Sequence, residues 1–496
     1  MATKFTVDPV TRIEGHLKID VEVDGGVVKD AWTSGTLFRG LELILQGRDP
    51  RDAQQMIQRI CGVCPTGHAT AGTLALDMAL ECDPPPAGRI IRNLIFGSNY
   101  IQSHILHFFH LAALDYADAT KVVKAVPPFV PSYPIQYKLD AATNKLAVES
   151  YVEALNMRRK AHEMLAIWGG KMPHVQAIVP GGVTERPDTQ KIYEFLKRLE
   201  ELTGFIEGTY LKVVGAVKEA YPEGTTFGIG CKNMLAYGAF PTDDKNTDHI
   251  KRNKHFKTGI VLADGSRVDF KTEKVTEEVT SSWYECESLS PETAVVDPKR
   301  EKEDAYSWLK SPRYEGKALE VGPLARQIVG GNPDVLALGP AAYSVIGRHY
   351  ARAVECLAMA KAMKGWVMEL KEMMGATTAP EVCTPHKLSI DTNKQGVGLT
   401  EASRGALGHW HKVEGGKTKV YNAVVPTTWN AGPRTKDAAG NIVRGPMEQA
   451  LIGTPVSADN NPTNLVRVVR SFDPCFGCAI HLMRPDGTTI KEYVIG

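Results

Sequence analysis

Alternating apolar and polar positions near the N-terminus predict a β-hairpin. The alternating runs cover residues 18–23 and 27–32, and Asp24-Gly25-Gly26 between them favours a tight turn. Further along the chain, apolar residues recur at spacings of three and four, which is typical of helices with one buried face. Such helices are predicted at about 52–80, 89–115, 149–168, 188–218 and 340–374.

Residues 222–310 differ in composition, being charged, rich in threonine and interrupted by glycine. Asp264-Gly265 lies here between alternating apolar runs, so we expect short strands joined by turns. We interpret this stretch as a β-containing excursion on the surface rather than a separate domain. The predicted fold class is mainly α: a single large helical globule with small β hairpins near the N-terminus and in the mid-chain excursion.

The composition is that of a folded protein without a strongly charged partner. Of the 496 residues, 43% are hydrophobic and 23% are charged, which excludes the disordered class. Lysine and arginine total 58 against 57 acidic residues, so the chain offers no basic field for nucleic acid. No apolar run approaches membrane-spanning length, and residues 1–8 lack the layout of a secretory signal. We therefore expect neither a membrane anchor nor an export signal in this polypeptide.

Four of the nine cysteines form two Cys-x-x-Cys pairs near opposite ends of the chain. Cys61 and Cys64 lie in CGVCPTGH, and Cys475 and Cys478 lie in DPCFGCAIH. Two cysteines at this spacing can bind one metal ion, and four thiolates suit zinc, iron or nickel equally. Compact zinc sites usually gather their ligands within a few tens of residues. The wide separation predicts instead that both ends of one globule meet at a central metal, with structural zinc as the alternative.

Longer motifs around these pairs are more specific. In chain order they are DPVTRIEGH at 8–16, TLFRGLE at 36–42, RDPRDAQQMIQRICGVC at 48–64, TEASRGALGHW at 400–410, VVPTTWN at 424–430 and SFDPCFGCAIH at 471–481. By these motifs the chain resembles the large, catalytic subunit of nickel-iron hydrogenases. The stretch YIQSHILHFFHLAALD at 100–115 is most similar to the nickel-iron-selenium branch, which has selenocysteine where this chain has Cys475.

The resemblance implies the identity of the metals and of their ligands. Cys61 and Cys475 would be terminal thiolates on nickel, while Cys64 and Cys478 would bridge nickel to an iron that carries carbon monoxide and cyanide. The implied reaction is the reversible heterolytic cleavage of H2 into two protons and two electrons.

The resemblance also implies a path for the proton. The candidate bases are the Cys475 thiolate and the Arg404 guanidine, of which we favour Cys475 because free arginine is effectively always charged. Glu14 matches the glutamate that would accept the proton from the terminal cysteine and pass it outward.

Three further residues would surround the centre. The resemblance pairs Asp473 with Arg404 above the metals, and it places Arg404 and Thr427 near the cyanide ligands of the iron. His68 would donate a hydrogen bond to a bridging sulfur, which tunes the basicity of that sulfur.

A second, hard metal ion is implied near the C-terminus of the mature chain. Magnesium or iron would be bound by Glu42, the main-chain carbonyl of Ala423 and the imidazole of His481, a donor set that suits magnesium. The histidines at 104, 107 and 110 are spaced three apart on a predicted helix. We expect them to be packed or hydrogen-bonded at a partner interface and leave them out of the site.

Two positions depart from the family pattern. Ser403 stands where the family usually has proline, which frees the backbone φ angle and makes the position of Arg404 less constrained. Ser103 stands where aspartate is common elsewhere in the family, although the selenium branch also has serine there.

The resemblance predicts partners and processing as well. The chain would be cut after His481 by a maturation endopeptidase, so that residues 1–481 are the mature large-subunit domain and 482–496 a C-terminal propeptide. Nickel-insertion proteins would act before that cut. The remaining cysteines show no iron-sulfur cluster spacing, so an iron-sulfur small subunit must carry the electrons in an obligate heterodimer. They are Cys82, Cys231, Cys286, Cys356 and Cys383.

Three alternative functions accompany this hypothesis, and the sequence leaves two cellular locations open. A hydrogen-sensing regulatory hydrogenase would use the same site with far slower turnover, and a structural zinc protein would bind zinc without nickel. A quinone-reducing complex I homologue has a similar fold but lacks the paired cysteines, which argues against it here. The protein would be periplasmic or membrane-associated by co-export with the small subunit, or else cytoplasmic.

Overall fold

A computed structural model shows that helices predominate over strands. The structure describes residues 3–127, 129–130, 134–244, 248–376, 380–386, 388–389, 392–457 and 461–479. Helices account for 44% and strands for 20% of the chain, and the strands form small antiparallel sheets. This composition agrees with the predicted mainly helical class.

Each helical segment predicted from the apolar spacing is present, with different ends. The predicted helix at 89–115 begins at Pro86 and runs as α-helix to Leu106, beyond which the chain continues as a π-helical turn, His107–Ala112. Many helices begin at a proline, which lacks the N–H that a first turn would leave without a partner. The described α-helices are Leu41–Ile44, Pro50–Ile57, Pro65–Ala79, Pro86–Leu106, Ala141–Gly169, Thr189–Phe205, Leu211–Ala220, Pro323–Gly330, Pro333–Leu336, Val345–Ala376, Pro426–Ala431, Pro446–Leu451, Thr463–Ser471 and Phe476–Ala479.

The N-terminal hairpin is confirmed, and a third strand extends it. Leu17–Asp24 pairs antiparallel with Val27–Gly35, with Leu17 opposite Gly35. Thr3–Val7 pairs with the outer edge of Leu17–Asp24. The inward side chains of this sheet pack into the same buried cluster as the cysteines, so the sheet supports the site from one side.

Short strands also occur in the mid-chain excursion, as predicted. Asp264-Gly265 lies between the paired strands Gly259–Val261 and Arg267–Val268. Part of the excursion is buried, because Leu235 and Ile260 share a core cluster with Trp429. The remaining strands here are Met234–Ala236, Ala239–Pro241, Lys254–Phe256, Val275–Glu278, Tyr284–Cys286 and Val296–Pro298. Strand Ser311–Tyr314 follows directly after the excursion and pairs with Val275–Glu278.

A three-stranded antiparallel sheet near the C-terminus was not predicted from the sequence. Its strands are Lys394–Ala402, Gly405–Glu414 and Lys417–Val424, in that order. The inner parts of all three strands are buried on both faces, so the sequence there does not alternate. Two short pairs, Ile178–Val179 with Gly182–Val183 and Thr435–Lys436 with Ile442–Val443, complete the described strands.

Glycines inside that sheet explain why the strands were not predicted and how a helix packs closely against them. Glycine weakens a strand prediction, yet it is used where another backbone approaches closely. A Cβ atom at Gly398 would lie 1.8 Å from the carbonyl oxygen of Ala71, and one at Gly396 would lie 1.8 Å from that of Ala75. Helix Pro65–Ala79, which begins directly after Cys64, is therefore pressed onto this sheet.

Candidate metal centre

Each cysteine pair lies at the end of a helical segment. Cys61 follows the 3-10 turn Gln58–Ile60, and Cys64 immediately precedes helix Pro65–Ala79. Cys475 precedes helix Phe476–Ala479, which contains the backbone of Cys478. The side chain of Cys478 and all of His481 lie outside the described residues.

The sulfurs from the two ends of the chain meet in the protein interior. The Cys475 sulfur lies 3.3 Å from that of Cys61 and 3.9 Å from that of Cys64. The three Sγ atoms all lie within 4.8 Å of one another, and the side chains are only 0–3% exposed. We call Cys61, Cys64 and Cys475 the thiol cluster.

Backbone groups favour thiolates in this cluster. The N–H groups of Val63 and Cys64 point at the Cys61 sulfur at 3.2 Å and 3.5 Å. N–H groups that point at a sulfur stabilise its negative charge, as metal binding requires.

The backbone also links the C-terminal cysteine segment to the N-terminal part of the chain. The N–H of Phe476, one residue after Cys475, donates to the carbonyl oxygen of Glu14 at 2.8 Å.

Arg39 connects the two cysteine segments. Its guanidinium donates to the carbonyl oxygens of Ile60 and Gly477, one residue before Cys61 and two after Cys475. The TLFRGLE motif contains this arginine, but motif matching alone does not reveal the bridging contact.

Glu14 contacts the thiol cluster through its carboxylate. The Cys475 thiol donates to Glu14 Oε2 at 3.1 Å, and the N–H of Gly477 donates to the same oxygen at 2.6 Å. Burial and the nearby Cys61 raise the pKa of the Glu14 carboxyl above its ordinary value, although both hydrogen bonds oppose the shift. The arrangement lets the carboxyl exchange a proton with Cys475.

Arg404 and Asp473 form a buried ion pair beside the cluster. Arg404 Nη2 lies 2.9 Å from Asp473 Oδ1, and Arg404 Nε donates to the Asp473 carbonyl at 3.0 Å. Although burial opposes it, the charge of Asp473 and then the cluster sulfurs hold the pKa of Arg404 well above its ordinary value. Asp473 itself has a φ angle of 54°, a left-handed conformation that is uncommon for non-glycine residues, although aspartate adopts it more readily than most.

The two serines that depart from the family pattern contact each other. Ser403 donates to Ser103 at 3.0 Å, and Arg404 Nη1 lies within 3.4 Å of the same Ser103 oxygen. These hydrogen bonds tie the Arg404 segment to helix Pro86–Leu106.

Thr427 and His68 also lie near the cluster. The N–H of Cys475 donates to Thr427 Oγ1 at 3.0 Å, which leaves the hydroxyl proton of Thr427 available as a donor. His68 Nδ1 is hydrogen-bonded to His409 Nε2 at 3.1 Å, and His409 Nδ1 to the Tyr421 hydroxyl at 2.6 Å. Sequence analysis missed His409 and Tyr421, whose link to His68 runs between distant segments. The predicted bond from His68 to a bridging sulfur stays a prediction.

The residues predicted to hold a hard metal ion are only partly described. Glu42 is buried, and its Oε1 accepts from the N–H of Ala423 at 2.8 Å. Lys310, which sequence analysis missed, places its ammonium group 3.8 Å from the same Glu42 oxygen and contacts Glu277. The binding of a hard metal ion by Glu42 and the Ala423 carbonyl stays a prediction.

The three spaced histidines are buried within the chain itself. His104 Nε2 pairs with Glu355 at 2.9 Å, and His107 and His110 donate to the carbonyl oxygens of Arg470 and Tyr151. Burial lowers the pKa of His107 well below its ordinary value, so this imidazole is neutral.

The thiol cluster fits a thiolate-bound nickel-iron centre. Three soft sulfur donors lie buried within a few ångströms of one another, and a cation and backbone N–H groups offset their charge. The profile described as Nickel-dependent hydrogenase matches residues 39–128 and 125–481. The chain belongs to the nickel-dependent hydrogenase large-subunit family. A further profile, described as HoxL-like, matches residues 4–33.

Individual relatives agree with this family assignment. The periplasmic [NiFeSe] hydrogenase large subunit of Desulfomicrobium baculatum is 42% identical, covering 99% of this chain and 97% of the relative. The hydrogenase-2 large chain of Escherichia coli K12 is 32% identical, covering 99% of both chains. The reduced Ni-Fe-Se hydrogenase of D. vulgaris Hildenborough superposes with a TM-score of 0.89 at 42% identity, over 97% of this chain and 100% of that one. The chain is thus the catalytic subunit of a nickel-iron hydrogenase.

Proposed function

We propose that this subunit cleaves H2 reversibly and heterolytically at a nickel-iron centre held by Cys61, Cys64, Cys475 and Cys478. The observation that carries the proposal is the meeting of three buried sulfurs from opposite ends of the chain within 4.8 Å. When bound, the centre supplies redox-active metal ions that polarise H2 and accept its electrons. Cys61 and Cys475 are proposed as terminal ligands, and Cys64 and Cys478 as bridging ligands.

Cys475 and Glu14 are proposed to move the proton. The Cys475 sulfur accepts the proton from H2 and passes it to Glu14 Oε2, which lies 3.1 Å away. The N–H of Gly477 keeps that carboxylate in place through its 2.6 Å bond to the same oxygen. Arg404 is the second candidate base, but its raised pKa makes loss of its proton costly, which favours Cys475.

Arg404, Asp473, Thr427 and His68 are proposed to shape the surroundings of the centre. Arg404 compensates the negative charge of the thiolates, and Asp473 holds its guanidinium in place at 2.9 Å. Arg404 and the Thr427 hydroxyl would donate hydrogen bonds to cyanide ligands of the iron, which would also carry carbon monoxide. His68, oriented through its bond to His409, would donate to a bridging sulfur.

The hard metal ion and the processing step belong to the same proposal. Glu42, the Ala423 carbonyl and His481 would hold magnesium or iron, and a maturation endopeptidase would cut after His481 once nickel-insertion proteins had acted. Residues 1–481 would then form the mature chain as one globule, and 482–496 the propeptide. Lys310, next to Glu42, would limit the negative charge near such an ion.

We further propose that an iron-sulfur small subunit accepts the electrons. The relatives are named large subunits or large chains, which supports a smaller partner. One relative is named periplasmic, and another, the large chain from Wolinella succinogenes, is named quinone-reactive. A periplasmic or membrane-associated location, reached together with the partner, is the compartment these names favour. Among the described residues, no helix is both long and apolar enough to span a membrane.

Metal content and turnover together test the proposed function. The chain is to be purified with its small subunit, analysed for nickel, iron and zinc, and assayed for H2 uptake with an artificial electron acceptor. We expect one nickel per chain and turnover that disappears in Cys475→Ala. Cys356→Ala is the matched control, because Cys356 is equally buried and lies in helix Val345–Ala376 outside the cluster.

The same measurements separate the alternatives. Zinc without nickel would indicate the structural zinc protein, although the match to nickel-dependent hydrogenases favours nickel. Nickel with turnover orders of magnitude below that of an enzyme would indicate a hydrogen sensor. Undiminished turnover in Cys475→Ala would contradict the proposed role of that sulfur.

A further inference from the structure

Arg404 lies in the turn of a β-hairpin, a placement that the motif alone does not reveal. Ala402 pairs with Gly405, so Ser403 and Arg404 are the two central residues of the turn. Both have negative φ angles, whereas Gly405 has a φ of 135°. A Cβ atom at Gly405 would lie 2.6 Å from a methyl carbon of Val321, so the turn is pressed against the segment before helix Pro323–Gly330.

A buried arginine in that helix binds the backbone of the turn. Arg326 donates to the carbonyl oxygens of Ala402 and Ser403 at 3.0 Å and 2.9 Å. It also donates to the Glu401 carboxylate at 2.8 Å, on the strand that leads into the turn. Three consecutive residues before Arg404 are therefore held by one guanidinium.

The guanidinium of Arg326 is itself held from other directions. Two nitrogens donate to the Glu355 carboxylate at 2.9 Å and 2.5 Å, and both side chains are 0% exposed. The guanidinium carbon lies 5.2 Å from the ring centre of Tyr100 and 5.4 Å from that of Phe256. The Tyr100 hydroxyl donates to the Ala402 carbonyl at 3.2 Å, so both groups hold the same turn. A planar group fixed in this way transmits its position to the backbone it binds.

We propose that Arg326 is a positioning residue for the hydrogenase reaction, because it fixes the turn from which Arg404 reaches Asp473 beside the thiol cluster. Ser403 provides no ring to fix the backbone of that turn, so its geometry depends on these hydrogen bonds. The inference rests on the proposed function, since it assigns Arg326 a role in the same site.

Arg326→Lys tests this role with the charge preserved. Arg326 makes five hydrogen bonds to Glu355, Glu401, Ala402 and Ser403, and the three donors of an ammonium group cannot reproduce their planar pattern.

Arg92→Lys is the matched control. Arg92 is also buried, donates twice to one carboxylate, that of Asp77, and twice to backbone carbonyls, those of Gly182 and Val179. Those partners lie outside the Arg404 turn, so the control measures the general effect of breaking a buried arginine network.

We expect kcat for H2 oxidation to fall about 10- to 100-fold in Arg326→Lys. KM for H2 should change less than about twofold, because the uncharged H2 molecule gains no binding energy from a charged group. In the assembled enzyme, hydrogen–deuterium exchange of residues 402–407 should become faster in Arg326→Lys but not in Arg92→Lys.

A second variant keeps the inference testable if Arg326→Lys does not assemble. Tyr100→Phe removes a hydroxyl that donates to the carbonyls of Glu401 and Ala402 but leaves the Arg326 ion pairs in place. We expect a smaller loss of kcat, about 3- to 10-fold, with faster exchange of the same turn.

Two results would overturn the positioning role. One is kcat in Arg326→Lys equal to that of Arg92→Lys; the other is a slow-exchanging turn and full kcat in Tyr100→Phe. An inactive wild-type enzyme with full nickel content would refute the proposed function instead, so the two failures are distinguishable.

Discussion

Adding one methyl group at Gly477 should separate the proposed proton acceptor from the thiol cluster. A Cβ atom at Gly477 would lie 2.3 Å from Oε1 of Glu14 and 2.8 Å from Oε2. Ordinary contacts of a Cβ atom begin at 3.4 Å, so Gly477→Ala forces a displacement of about 1 Å between the two groups.

The displacement acts on the two short contacts of Glu14. The Cys475 sulfur and the N–H of Gly477 donate to the same carboxylate oxygen at 3.1 Å and 2.6 Å, and neither bond tolerates a 1 Å shift. Because misplacement by 1 Å can reduce a rate about 100-fold, we expect kcat for H2 oxidation to fall by about that factor in Gly477→Ala.

The assay compares turnover at saturating H2, normalised to nickel content, in the enzyme assembled with its small subunit. Gly204→Ala is the control, since a Cβ atom at Gly204 meets nothing within 4 Å in helix Thr189–Phe205. We expect this control to retain full turnover. A Gly477→Ala enzyme with full nickel content and wild-type turnover would refute the reasoning that Glu14 must stay in contact with Cys475.

Three further predictions concern metal binding, stability and processing. Cys64→Ala removes a ligand whose sulfur lies 3.9 Å from that of Cys475, so elemental analysis should show loss of nickel, and full nickel content would contradict its role as a ligand. Burial raises the pKa of Glu448 to about 7, which means that the folded state gains protons relative to the unfolded state and loses stability as pH rises from about 5 to 7. Glu448→Gln should remove this loss of about 3 kcal/mol and raise Tm relative to wild type more at pH 8 than at pH 5, and an equal shift at both pH values would contradict it. The intact mass of the large subunit from active enzyme should correspond to a chain ending at His481, whereas a chain ending at Gly496 would refute the proposed cut.

Local sequence determined the parts of the fold that depend on local patterns. Alternation around Asp24-Gly25-Gly26 determined the N-terminal hairpin, and the three-to-four spacing of apolar residues determined the long helices. These patterns are reliable for helices such as Ala141–Gly169 and Thr189–Phe205, which have one buried and one exposed face, whereas Pro86–Leu106 is buried on all sides. The sheet of Lys394–Ala402, Gly405–Glu414 and Lys417–Val424 escaped prediction because burial on both faces removes the alternation.

The sequence also determined which residue types take part in the chemistry, through the two Cys-x-x-Cys pairs and the motifs around them. Their spacing indicates that metal can bind, but it contains no information on which partner a side chain meets across the fold. Only the tertiary structure decided that Arg39 links the two cysteine segments, that His409 orients His68 and that Lys310 lies beside Glu42.

The same distinction explains the role we assign to Arg326. Nothing in the local sequence of a helix beginning at Pro323 indicates that its arginine binds the backbone of a turn 76 to 77 residues further along the chain. Folding brings the two together because Arg326 can be buried only where carboxylates and carbonyl oxygens satisfy its five donors. The sequence thus determines which residue types are present. The distances that make these residues a site are set only when buried polar groups from remote segments form hydrogen bonds with one another in the folded protein.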